Sequence, residues 1–349
     1  MFENTNTTEI ADLGEFGLIN HLTQHINLNS KHTQKGVGDD AAVIDALGKK
    51  ILVSTDLLLE GIHFDLAFTP LKHLGYKAIQ VNLSDIYAMN GMAEQVTVSL
   101  GFSSKFPLEA IEELYSGMLL ACEKYNIDLI GGDTTSSKQG LVISVTSIGY
   151  AEPNDITYRN GAEEGDLLCV SGDLGGAYVG LQLLEREKQV FLANPNIQPD
   201  LEGKDYIVER QLKPEARLDI IDLLKKMEIK PTSMIDVSDG LASEILHITQ
   251  QSKKGCKLYE EKIPIDPQTT EMAREFGLDP TVCALNGGED YELLFTIKQT
   301  DYERLKHDVD ITVIGYITEE SAGNYLITKG GNVHELKAQG WNAFKSVKN

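Results

Sequence analysis

Residues Lys50–Met89, KILVSTDLLLEGIHFDLAFTPLKHLGYKAIQVNLSDIYAM, decide the fold. Lys50–Thr55 is an apolar, β-branched run that reads as a strand, and Leu71–Met89 carries apolar residues at helical spacing. Asp56 stands where the strand-like run ends. Asn82 and Asp85, three apart, share one helix face while Ile79, Leu83 and Ile86 pack elsewhere.

The same alternation continues outward. Val96–Gly101 and Leu141–Gly149 read as strands, and Pro107–Tyr125 as a helix, with Leu108, Ile111, Leu114, Tyr115, Met118, Leu119 and Cys122 in helical register and Pro107 suited to the first turn. The polar, turn-rich stretch Ala151–Asp166 predicts a boundary between a domain of residues 1–150 and one of residues 151–349. Beyond it, Leu167–Ser171, Met234–Val237, Glu292–Ile297 and Ile311–Ile317 read as strands. Gly175–Glu185, Glu215–Met227, Asp239–Gln250 and Thr269–Phe276 read as helices. Two α/β or α+β domains without internal repeat follow.

The chain has 349 residues, of which 42% are hydrophobic, enough apolar side chain to argue against disorder. No apolar run reaches the roughly 18 residues of a membrane span, and Met1–Ile10 lacks a basic start and apolar centre, so a cytoplasmic protein is expected. Cys122, Cys169, Cys256 and Cys283 form no CxxC pair and read as buried thiols. With 31 Lys and Arg against 53 Asp and Glu, the net charge of −22 disfavours nucleic acid. A small phosphorylated ligand would need that repulsion cancelled locally, most simply by a divalent metal.

The carboxylates that stand out lie beside glycines or where strands and helices stop: Asp39 and Asp40 in GVGDDAAV, Asp56, Asp85, Asp133 in LIGGDTTSS, and Asp236 with Asp239 in MIDVSDGL. Taken alone, each usually reads as a helix cap or a closed turn. Five such segments together suit a shell of oxygen donors for Mg²⁺ shared with phosphate, and none has EF-hand spacing. Gly131–Gly132 and the segment 170–177, VSGDLGGA, are glycine-bearing turns able to hold phosphate or simply to connect elements. Neither is a P-loop or a GxGxxG. There is no HExxH, GxSxG or kinase HRD set, and only His63 in EGIHF sits near an acidic string. Phosphoryl transfer to an acceptor that is itself a phosphate suits this inventory, because such an acceptor is already ionised at neutral pH.

Taken in order, GEFGLI (14–19), GVGDDAAV, STDLLLEGIHFD, YKAIQVNLSDIYAMNG, LIGGDTTSS, IDVSDGL, NGGEDYELLFT and GWNAF resemble the thiamine-monophosphate kinase family of the aminoimidazole-ribonucleotide-synthetase-like ATP-binding superfamily, from about Gly14 to Phe344. The resemblance implies Mg²⁺-dependent transfer from ATP to thiamine monophosphate. It also implies a homodimer built through an N-terminal mixed sheet with helices, and a C-terminal α+β domain. Carried over, it implies metal ligands at Asp40, Ser54, Thr55, Asp56, Asp85, Asp133, Asp236 and Asp239. ATP contacts would be Gly132, Asp133, Arg159, Ser238 and Tyr115, and thiamine-phosphate contacts His63, Glu289 and Trp341. The stretch Glu187–Lys204 is expected to be a long surface connection. Rival readings are another enzyme of the superfamily, of the aminoimidazole ribonucleotide synthetase or selenophosphate synthetase type, or a non-catalytic metal- or nucleotide-binding module. The selenophosphate reading needs a reactive Cys near the N-terminus, yet no Cys precedes Cys122.

Overall fold

Helix α1 (Leu71–Ala88) buries fourteen of its eighteen residues, so it has no solvent face and must be enclosed on all sides. The computed structural model, which describes residues 33–35, 39–46, 48–103 and 106–340, encloses it between two sheets.

The first sheet contains β1 (Thr33–Lys35), β2 (Ala42–Ala46), β3 (Lys49–Leu59), β4 (Met92–Phe102), β5 (Asp128–Ser136) and β6 (Val142–Ala151) in the order β1-β2-β3-β6-β4-β5. All neighbours are antiparallel except β4 and β5, which makes the sheet mixed. The second contains β7 (Leu167–Ser171), β8 (Ser233–Asp236), β9 (Lys254–Tyr259), β10 (Leu293–Ile297), β11 (Ile311–Glu319), β12 (Asn324–Ile327) and β13 (Val333–Glu335) in the order β13-β12-β9-β11-β7-β10-β8. Only β9 and β12 run parallel there. The sheets therefore divide at the turn-rich segment 152–166, and the architecture is the α/β and α+β arrangement expected from the sequence.

Helix α2 (Leu108–Tyr125) packs on α1, while α3 (Gly176–Ala193), α4 (Asp205–Leu212), α5 (Leu218–Lys226), α6 (Leu241–Ser252), α7 (Pro267–Glu275) and α8 (Pro280–Asn286) belong to the second half. One continuous apolar core joins the halves: Leu52, Ile79 and Ile86 belong to the same buried cluster as Ile220, Met234 and Phe295. All four cysteines are buried and unpaired, as expected.

Two readings are corrected. Gly131–Gly132 is not a turn but the middle of β5, where a Cβ at Gly132 would stand 1.8 Å from the Val98 carbonyl oxygen; close parallel pairing with β4 needs a glycine there. The expected connection at 187–204 begins later, because α3 runs on to Ala193. Glu187 is buried, accepts from Arg186 Nε at 2.8 Å and from the Asp200 amide at 2.8 Å, and so ties the following segment back to the helix.

The α1–α2 contact is made backbone to backbone. A Cβ at Gly117 would meet the Lys72 carbonyl oxygen at 1.8 Å, and one at Gly75 the Leu114 carbonyl oxygen at 1.9 Å. Gly117→Val is expected to lower stability by about 1–3 kcal/mol through forced separation of the helices, read as a lower denaturation midpoint; an unchanged midpoint would show that the helices part freely.

Candidate active site

A cleft of about 820 Å³ opens between the halves, walled by β3, the 61–69 loop, α1, α3, the end of β8 and the 286–291 loop. At one end, Asp40, Asp85 and Asp236 bring carboxylate oxygens within 4.8 Å of one another. Three unrelated elements deliver them: the turn before β2, the face of α1 and the last residue of β8.

Each carboxylate is held. Ser54 Oγ donates to Asp85 at 2.5 Å and Ser84 Oγ to Asp236 at 2.6 Å. Arg159 forks onto Asp40, with Nε 3.0 Å from Oδ2 and Nη2 on Oδ1. Strand β2 stops pairing with β3 at Val53, which leaves the Asp56 amide without a strand partner on that side. Asn82 Oδ1 accepts it at 3.1 Å. The shared helix face of Asn82 and Asp85 thus serves β3 twice, and the two do not satisfy one another.

Burial and mutual repulsion set the electrostatics. Burial first, and then Asp40, push Asp56 up to about 6. Burial, followed by Asp40, pushes Asp236 up to about 7. Asp85 stands well above the usual carboxylate range, through burial and then its neighbours Asp56, Asp236 and Asp40. Burial works against the charge of Arg159, but Asp40 and then Asp39 outweigh it and raise that guanidinium further. One cation faces several carboxylates. A site of hard oxygen donors with more negative charge than its protein partners cancel is suited to Mg²⁺.

Further expected site residues line the same cleft: His63, Ser238, Asp239 and Glu289. His63 Nδ1 accepts from the Leu59 amide at 3.0 Å, which fixes the ring over the end of β3. The amides of Ser238 and Asp239 donate to Glu244 Oε1 at 3.2 and 2.7 Å, which closes the start of α6. Asp39 sits beside the cluster, accepting from the Arg159 amide at 3.3 Å.

Other expected residues are not brought to the cluster within one chain. Side chains alternate along β3, so Thr55 points to the face opposite Asp56 and bonds instead to the Val145 carbonyl and Thr146, both at 3.0 Å. Asp133, on β5, pairs with Ser99 of β4, and β5 lies three strands from β3, about 14 Å at ~4.8 Å per strand. Gly132 stands beside it. Tyr115 is half-buried on α2 and does not wall the cleft. Gln339 and Gly340 reach the wall, and Trp341 lies outside the described residues.

The second glycine-bearing turn is also settled. Asp290 accepts from the amides of Gly175 at 2.8 Å and Ala177 at 3.3 Å, so the start of α3 is filled by a carboxylate of the chain itself. That loop is a connection and not a phosphate cradle.

Residues 38–151 match the family model for the N-terminal domain of AIR synthase related proteins. The chain is 34% identical over 339 residues to the thiamine-monophosphate kinase of Bacillus subtilis, covering 95% of this chain and 100% of the relative. It is 33% identical to that of Aquifex aeolicus, over 96% and 99%. The chain belongs to the thiamine-monophosphate kinase family. A solved structure, AaThiL complexed with AMPPCP and TMP, shares the fold with a TM-score of 0.82 at 33% identity, covering 97% of this chain and 100% of that one. No helix among the described residues of this family member is long and apolar enough to cross a membrane.

Two residues bordering the family's cleft escape sequence reasoning, Lys77 and Gln211. The available signal was spacing: Lys77, Val81 and Asp85 repeat every four residues along one face of α1.

The raised carboxylates define a pH test on metal-free protein. In the unfolded chain they ionise near pH ~3.9, in the fold only near 6 to 7, so the stability they confer is present in acid and is lost as pH rises through that window. The melting temperature is expected to fall between about pH 5 and pH 8, and millimolar Mg²⁺ to restore it at the upper pH far more than at the lower. A Mg²⁺ shift equal at both pH values would contradict this.

Proposed function

We infer that the chain transfers the γ-phosphoryl group of ATP to the phosphate of thiamine monophosphate, giving thiamine diphosphate and ADP. The observation that carries it is the Asp40–Asp85–Asp236 cluster at one end of an acidic cleft, in a chain aligned over nearly its full length with thiamine-monophosphate kinases. Asp40, Asp56, Asp85 and Asp236, with Ser54 and Asp239 beside them, would hold Mg²⁺. When bound, it supplies charge neutralisation for the reacting phosphates and orients them in line.

The protein's own groups do the rest. Arg159, the cation already forked onto Asp40, would exchange that carboxylate for a nucleotide phosphate. Ser238 borders the cleft as a second nucleotide contact. Among the described residues no histidine serves as a base in this reading, and none is needed when the acceptor is an ionised phosphate. The cleft wall carries eight carboxylate residues and one ammonium, a balance that suits the cationic thiazolium ring. His63 and Glu289 would flank the ring end, and the indole of Trp341, outside the described residues, has the chemistry to receive the cation.

A second copy of the chain would supply Gly132, Asp133 and Tyr115. Thr55, Leu57, Ser99 and Asp133 are exposed on one face of the first sheet, which no described element covers. Two such faces stacked would bring the Asp133 of one copy toward the cleft of the other.

In a coupled ADP-release assay, thiamine monophosphate should be turned over and free thiamine should not, because an alcohol acceptor requires a base. Asp56→Ala should lower kcat by about 10²-fold or more with the fold retained; turnover in excess chelator, or of thiamine, would overturn the reading. Light scattering should return twice the 38.4 kDa chain mass. A single-chain mass across a dilution series would refute the dimer alone.

A further inference from the structure

Lys77 is a buried ammonium in the cleft wall that the phosphoryl transfer inferred above does not use. Its side chain is 4% exposed, against 25% for its partner Glu289. Nζ lies 2.9 Å from Glu289 Oε1 and donates to the Gln211 carbonyl at 3.1 Å. Gln211 Nε2 donates to the other carboxylate oxygen at 2.8 Å. Both oxygens of Glu289 are thus held from behind, by a helix of each half of the molecule.

The backbone is committed as well. Glu289 and Tyr291 adopt left-handed conformations, φ 60° and 51°, which cost energy in residues with a Cβ. The Glu289 amide donates to the Ser238 carbonyl at 2.7 Å and that of Tyr291 to Val237 at 2.9 Å. The loop is pinned to the segment that carries Asp236. On the opposite wall, Lys77 and Asp85 lie eight residues apart on α1, about 12 Å along the axis. One rigid helix therefore fixes the separation between the carboxylate cluster and the Glu289 end of the cleft.

We propose that Lys77 is the positioning residue of the ring end of the acceptor site: it holds the Glu289 carboxylate toward the cleft, where it receives the cationic ring of thiamine monophosphate. This rests on the acceptor assigned above. Without Lys77, the partly exposed Glu289 turns to water and the ring loses a fixed counter-charge, while the phosphate end is untouched.

The test uses the full-length enzyme with Mg²⁺ and the variants Lys77→Met, Lys77→Arg, Glu289→Gln and the double variant Lys77→Met/Glu289→Gln. Calorimetric affinities are measured for thiamine monophosphate, for thiamine as a ring-only probe and for AMPPCP, alongside both KM values. Lys77→Met should weaken thiamine and thiamine monophosphate alike by about tenfold, leave AMPPCP affinity and the KM for ATP within about twofold, and add little to Glu289→Gln. Lys77→Arg, which keeps the charge, should recover part of the loss, and carries the same comparison if Lys77→Met does not fold. Weakened thiamine monophosphate with unchanged thiamine would assign Lys77 to the phosphate and overturn the proposal. So would equal losses for acceptor and nucleotide, or full additivity in the double variant. A wild type that binds neither thiamine compound would overturn the assigned acceptor itself, a result distinct from these.

Discussion

A helix this deeply enclosed needs partners for the polar groups it carries, and α1 carries many. Tyr76, Lys77, Gln80, Asn82 and Ser84 are all buried. Four separate segments answer them: the 215–216 connection takes Tyr76 through Glu215 and Gln80 through the Ala216 amide, Glu289 takes Lys77, the Asp56 amide takes Asn82 and Asp236 takes Ser84. An unmet polar group there would cost about 1–3 kcal/mol, so the pairings fix how both sheets sit on the helix. The cleft inherits its geometry from this. Asp85 and Lys77 face it because the opposite side of the helix is taken by α2, whose approach through Gly75 and Gly117 allows no rotation.

The cluster of carboxylates works against the fold that holds it. Raised carboxyl groups mean that ionising them in the folded chain is unfavourable, and Arg159 with two seryl hydroxyls offsets only part of that. A chain selected for stability alone would replace such a group with apolar residues. Its persistence at the end of a cleft is the signature of a ligand with opposite charge.

Much of this was legible in the residues. Leu167–Ser171 has the same bounds in sequence and structure, and α2 differs by one residue, because both have a clean period and clear stops. Asp40, Asp85 and Asp236 stood out because five separate segments carry such carboxylates, although each alone would pass for a cap or turn. Strand β5 was hidden: Gly131, Gly132 and Asp133 have poor strand propensity, and only pairing with β4 makes them extended. The side on which Thr55 falls was available from strand alternation, yet the motif containing it suggested that neighbouring residues act together. Spacing along α1 put Lys77 on the face of Asp85, but its partners, Gln211 and Glu289, lie 134 and 212 positions away and no spacing reveals them.

The fate of the glycine-rich turn after β7 shows how the fold handles phosphate. Its amides, at the start of α3, form the kind of nest that binds anions elsewhere. Here Asp290 occupies it, held also by Arg210 at 3.6 Å, so a phosphate arriving there would have to displace a buried carboxylate. That nest is therefore not a place where this chain accepts phosphate. The proposed Mg²⁺ site would be the inverse device: carboxylates gathered to attract a cation, which in turn would attract phosphate, with Arg159 the guanidinium at the cluster. That device also accounts for the net charge of −22, since a protein that reaches phosphate through a metal ion gains nothing from a basic surface.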